Sequence, residues 1–213
     1  MDTVPRTIRR PLLRKAALLT AAATLTLATA CSTDSPIAPV SSGYKTIKTS
    51  IDGTLKTLYP MTPLERDVAI TSPITRSFTF DRSGGKIEIK ETGLRVDVPS
   101  GAIPGSSLTI TVTALPGRDL AYDFQPHGTV FLKPLSFQQS LDRTSWDKLD
   151  FKGTVLGGYF ADVSQLDLLD GLALLDELFP VTFDSKNVRF DIKHFSGYMV
   201  SSGRQSLSYD SAF

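Results

Sequence analysis

Apolar and polar residues alternate most regularly in the segment GGKIEIKETGLRVDVPSGAIPGSSLTITVTALPG, residues 84–117. Three short runs emerge, punctuated by Gly and Pro turns. Side chains alternate sides along a strand, so Ile87 and Ile89 share one face, Leu94, Val96 and Val98 the next, and Leu108, Ile110, Val112 and Ala114 a third. The runs recur at short intervals without intervening helices, which predicts antiparallel hairpins in an all-β sandwich rather than a parallel sheet with crossovers. Further strands are predicted at 128–137, 152–160, 181–183, 188–192 and 198–202. From Tyr44 to Leu64, Thr and Lys are mixed with Ile47, Ile51, Leu55 and Leu58, a pattern that fits extra strands or an extended arm.

One stretch breaks the two-residue period. In DVSQLDLLDGLALLDELF, residues 162–179, the positions Leu166, Leu169, Leu172 or Ala173, and Leu175 to Leu178 recur at three- and four-residue spacing. That spacing predicts a short amphipathic helix packed on the sandwich. Its acids, Asp162, Asp167, Asp170, Asp176 and Glu177, lack the ligand spacing and glycine turn of a calcium loop, so a solvated helix face is expected and no metal site.

The N-terminus reads as an export signal. A basic stretch with Arg6, Arg9, Arg10, Arg14 and Lys15 precedes an apolar run from Ala16 and the small residues Ala28-Thr29-Ala30. The apolar run falls short of the roughly 20 residues a spanning helix needs. Cys31, the chain's only cysteine, follows directly, and Leu27-Ala28-Thr29-Ala30-Cys31 resembles the lipobox of bacterial lipoproteins, with Ala28 where leucine is commonest. The resemblance implies cleavage before Cys31, lipidation of Cys31 and a membrane anchor. Ser32 after the cysteine, rather than aspartate, favours the outer membrane by the same resemblance. Residues 31–43 form a Ser- and Pro-rich tether, and 204–213 a C-terminal tail.

Composition adds limits. With 213 residues, 41% hydrophobic and 21% charged, the chain has material for one well-filled core. Removal of residues 1–30 takes five basic groups and one acid from totals of 23 and 22, leaving a net charge near −3. Nucleic acid is therefore not an expected partner, because its binding draws on clustered Lys and Arg.

The motifs of the second half are similar to those of the ZU5 domain. GGKIEIKETGLRVDVPSGAIPG, residues 84–105, resembles its opening Gly-Gly corner, alternating strands and Pro-Ser-Gly-Ala turn; HGTVFLKPLSF, residues 127–137, resembles a later strand with a Phe-x-Lys-Pro centre; VRFDIKHFSGYMV, residues 188–200, resembles its end. The resemblance implies a β-sandwich interaction module over residues 84–203, with 44–83 as arm or extra strands. Some animal members cleave themselves between Phe and Ser of a His-Phe-Ser tripeptide. Carried over to His194, Phe195 and Ser196, Ser196 Oγ would attack the Phe195 carbonyl carbon and His194 would take the proton. The same residues also make structural sense, with Phe195 as a core plug, Ser196 as a turn residue and Gly197 relaxing the corner before a last strand.

Other chemistry is sparse in the sequence. His127 and His194 are the only histidines and Cys31 is committed to lipid, which leaves no zinc set, no cysteine nucleophile and no expected cofactor. Gly84-Gly85 and Gly157-Gly158 read as strand corners, and His127 as a turn residue. Trp146, Tyr122, Tyr159 and Tyr198 could face a sugar or peptide, although strands enrich aromatics for packing alone. The expectation is a lipid-anchored, non-enzymatic envelope module that contacts a protein or glycan, with a self-processing domain and a carbohydrate-binding module as alternatives.

Overall fold

The computed structural model describes residues 43–51, 53–149, 155–166 and 171–205, all within one compact unit. The export signal, Cys31 and the tether up to residue 42 lie outside the described residues, as do Asp167, Leu169 and Asp170. The described residues form sixteen strands in chain order: β1 Ile47–Ile51, β2 Thr54–Met61, β3 Glu65–Ile70, β4 Ile74–Asp81, β5 Gly85–Ile89, β6 Leu94–Val98, β7 Ser107–Ala114 and β8 Gly117–Asp119, then β9 Ala121–Gln125, β10 Val130–Ser140, β11 Leu156–Phe160, β12 Ala173–Leu175, β13 Glu177–Pro180, β14 Thr182–Asp184, β15 Asn187–His194 and β16 Gly197–Ser201. The only helical pieces among the described residues are single 3₁₀ turns at Ser145–Lys148 and Val163–Leu166. No described helix is long and apolar enough to cross a membrane.

Two antiparallel sheets form the sandwich, ordered β14-β15-β10-β6-β5 and β13-β11-β16-β9-β7-β4. The alternating side chains of 84–117 meet here. Ile87, Ile89, Val96 and Phe137 from the first sheet share one buried core with Ile110, Val112, Tyr122 and Phe124 from the second. Aromatic rings bridge the layers, with Tyr122 edge-on to Phe137 at 5.9 Å and Phe190 6.2 Å from Tyr198. Gly84 adopts φ +77°, and a Cβ there would lie 2.2 Å from the Val98 carbonyl oxygen, so this corner requires glycine. Pro134 in β10 has no amide donor for the ladder, and the β10–β15 register shifts between Val130 and Leu135.

A third layer covers part of the six-stranded sheet's outer face. Residues 44–83, open between arm and strands in the sequence, supply β1 to β4. The sheet β1-β2-β12 encloses a second core of Met61, Ala121, Leu156, Phe160, Ala173, Leu175, Leu178 and Met199. Strand β16 is therefore buried on both faces, with Tyr198 and Val200 in the main core and Met199 in the second. Strand β4 pairs with β7 along its whole length and closes the sheet edge. On the exposed side of this pair, hydroxyls bond across the strands at Thr75–Thr113, Ser77–Thr111 and Thr79–Thr109.

The expected amphipathic helix over 162–179 is replaced by the turn Val163–Leu166 and strands β12 and β13. Ala173, Leu175 and Leu178 enter the second core, while Leu174 enters a small third cluster with Ile51 and Leu58. A strand buried on both faces carries apolar residues at consecutive positions, and those supply three- and four-residue spacings as readily as a helix does. Gln165 holds the arrangement. Its Oε1 accepts from the Ala161 and Asp162 amides, and its Nε2 donates to the Leu174 carbonyl and to Asp176.

Candidate functional site

The corner that joins β15 to β16 carries His194, Phe195 and Ser196. Phe195 is a core plug, 1% exposed, stacked 5.1 Å from Phe124 and edge-on to Phe131 at 4.6 Å. Its carbonyl oxygen accepts two hydrogen bonds, from the Gly128 amide at 2.9 Å and from Ser196 Oγ at 2.8 Å. His194 turns elsewhere. Its ring packs edge-on to Tyr159 at 4.6 Å, with Nδ1 3.5 Å from the Tyr198 hydroxyl and Nε2 4.0 Å from Glu177, and no hydrogen bond joins it to Ser196. The tripeptide thus brings Ser196 to the Phe195 carbonyl and does not bring His194 to Ser196.

Gly197 has a different role from the expected one. Its φ lies outside the left-handed region, so it does not relax the corner by backbone freedom; a Cβ there would lie 1.8 Å from the Phe160 ring. The glycine is a space for that ring. Nearby, His127 Nε2 bonds Asp123 Oδ1 at 2.7 Å, and Asp123, itself buried, also accepts from Gln125.

The four aromatics singled out from sequence do not make one surface. Tyr122 and Tyr198 are fully buried, Tyr159 packs on His194 and Tyr198, and Trp146 stacks on Phe183 at 5.1 Å. Burial holds the Tyr198 hydroxyl far above the ordinary phenol range, reinforced by Tyr159 and Glu177. Of the acids expected on a solvated helix face, Asp162 and Asp176 instead hold turns. Asp162 accepts from Ser164, which lowers its pKa, and Asp176 accepts from Ala161 and Gln165 while pairing with Lys56 at 3.6 Å. Among the described residues no group of three or more His, Cys, Asp or Glu is placed to hold a metal.

A site that the sequence does not announce lies at the end of the sandwich. Four segments border a cleft of about 590 Å³: β3, the β5–β6 turn at Lys90 to Gly93, Leu120 between β8 and β9, and the loop from Ser140 to Thr144 after β10. Arg66, Thr92, Leu120 and Thr144 are its buried parts, and Val68, Lys90, Glu91, Asp142 and Arg143 are its exposed ones. Arg66 is only 7% exposed. Its Nη1 donates to the Asp119 carbonyl and its carbon centre sits 5.5 Å above the Tyr122 ring, a cation–π contact. Its Nε and Nη2 are buried and have no hydrogen-bond partner. Leaving a buried donor unsatisfied costs about 1–3 kcal/mol, more on a charged group.

The surrounding polar groups are fixed. Tyr122 donates to Gln139 at 2.7 Å, and Gln139 donates to the Thr92 and Ser140 carbonyls, which ties the core to both cleft loops. Burial pushes the Tyr122 hydroxyl up, and Arg66 beside it pulls the other way. The two acids of the lining are taken by cations outside it, Glu91 by Arg76 at 2.9 Å and Asp142 by Lys186 at 2.8 Å. Arg66, Lys90 and Arg143 form no ion pair among the described residues.

Sequence reasoning passes over Arg66 because of its neighbours. In Leu64-Glu65-Arg66-Asp67-Val68 the flanking acids look like partners, yet alternation turns both outward, where Glu65 meets Arg118 at 3.2 Å and Asp67 meets Lys148 at 3.2 Å. The available signal is parity: Arg66 shares the inward phase of Leu64. Neither the protein-family models nor the curated proteins contain a match to the chain.

Proposed function

We propose that this chain is a lipid-anchored protein of the cell envelope whose β-sandwich, ZU5-like in its motifs, is a non-enzymatic binding module, and that the Arg66 cleft is where it binds. The observation that carries the reading is a preformed concavity at one end of a rigid sandwich, with a buried, incompletely bonded guanidinium in its lining. Cys31, following the apolar run and Ala28-Thr29-Ala30, supplies the anchor, and the Ser- and Pro-rich segment after it supplies reach. Expression of the full chain and of Cys31→Ser in a two-membrane bacterium, followed by fractionation and intact mass, tests the anchor. The parent is expected in the membrane fraction with an acyl mass on Cys31 and the variant in the soluble fraction; equal soluble distribution would overturn the anchor.

A second reading is favoured by the Gly128 amide and Ser196 Oγ together at the Phe195 carbonyl. The amide would polarise it toward addition of Ser196 Oγ, which gives up its own bond to that oxygen; the Oγ–C bond forms, the amide C–N bond breaks, the hydroxyl proton passes to the released amine, and water hydrolyses the ester. Denatured intact mass decides. A single full-length species leaves the binding reading alone, whereas two fragments divided between Phe195 and Ser196, absent in Ser196→Ala, establish self-processing.

A further inference from the structure

We infer that the cleft takes a ligand through a two-oxygen anionic group, a carboxylate or a phosphate, gripped side-on by Arg66; the inference rests on the binding reading above. Two guanidinium nitrogens are unpartnered, and their identity is informative. Nε–H and Nη2–H point the same way along one edge of the planar group, and that edge matches two oxygens of a carboxylate or phosphate with parallel hydrogen bonds. The rest of the residue is already held, with Nη1 on the Asp119 carbonyl and one face on Tyr122. The unpartnered edge is closed to water, so a ligand reaches it by displacing the lining over it, and the two existing holds leave Arg66 little side-chain freedom to lose.

The charge of the cleft agrees. Glu91 and Asp142 are neutralised by Arg76 and Lys186, which leaves Lys90 and Arg143 on the exposed rim above a buried cation. Neither neighbouring acid completes Arg66, since Glu65 pairs with Arg118 and Asp67 with Lys148. Arg143 sits at φ 58°, a left-handed backbone for a residue with a side chain, in the turn whose Arg143 carbonyl accepts from the Asp67 amide. That bond fixes the 140–144 loop against β3 and keeps the cleft wall in place.

The test uses the full chain in detergent, titrated calorimetrically with inorganic phosphate, glucuronate and methyl glucoside, with chloride holding ionic strength constant. Saturable binding of phosphate or glucuronate is expected, weakened about tenfold or more in Arg66→Gln and also in Arg66→Lys, because a point charge cannot form the paired bonds. Whichever probe binds names the source of the anion. Lys90→Ala combined with Arg143→Asn, both exposed, is expected to keep the fold, weaken binding several-fold and flatten its salt dependence. Circular dichroism verifies folding of each variant. Neither oxyanion binding overturns the inference, as does unchanged affinity in a folded Arg66 variant; if neither Arg66 variant folds, unchanged affinity in the rim variant overturns it. Binding of methyl glucoside alone would also overturn it while leaving the binding module standing.

Discussion

Single atoms decide several positions. A methyl group added at Gly197 would overlap the Phe160 ring in a fully buried site, so Gly197→Ala is expected to lower stability by about 3 kcal/mol, read by denaturant unfolding. Phe160→Leu in the same background should recover part of that loss; no recovery would place the strain elsewhere. Phe195 as a buried plug is legible from sequence, because an aromatic between two strands seldom stays exposed. The reason for Gly197 is not, since it depends on a ring delivered by β11 from a distant part of the chain. Tyr122 and Tyr198 add a pH dependence. Burial raises both, so the folded state keeps protons that the unfolded chain releases near pH 10. Their contribution is complete below pH 10 and is lost as pH rises beyond it, so the denaturation midpoint should be level through pH 8–9 and fall above 10. A midpoint that stays level to pH 11 would contradict this.

At the level of elements, the outer layer depends on one side chain. Gln165 gathers the Ala161 and Asp162 amides, the Leu174 carbonyl and Asp176, and it is fully buried. Gln165→Ala strands these groups, with an expected loss of about 2–4 kcal/mol. The loss is local first. Hydrogen exchange should accelerate in β12 and its partner β2 before β9 and β7, whose bonds lie in the main sandwich; uniform acceleration would show that the outer layer unfolds only with the whole. The strands β5, β6 and β7 are legible from alternation because each has one buried face. Strands β9 and β12 are not, because burial on both faces removes the polar half of the signal, and in 173–180 the remaining leucines imitate a helix. Arg66 is hidden for a related reason: parity marks it as inward, yet only the register of β3 on β8 shows which acids turn away.

For the whole molecule, the question is where the folding unit begins. The motif resemblance starts at Gly84, and the sandwich does not. Strand β4 supplies the sole partner of one edge of β7, Leu64 contributes to the main core, and Met61 closes the second core over Met199 and Phe160. A chain starting at Gly84 would leave the β7 edge unpaired and uncover the apolar outer face of β11 and β16, both routes to association. It would also lack Arg66 and with it the proposed binding edge. A chain spanning 44–213 keeps every described strand. The expected outcome is a single cooperative unfolding transition and monomeric elution for 44–213, against aggregation or strong binding of a hydrophobic dye for 84–213. A soluble, cooperatively unfolding 84–213 would show that the outer layer is an accessory to the sandwich rather than part of its core. The proposed anchor sharpens the expectation: tension on a tether attached before β1 reaches an edge strand paired only with β2, so pulling at the N-terminus should peel β1 first while the cleft, built from β3 and the loops of the main sandwich, stays intact.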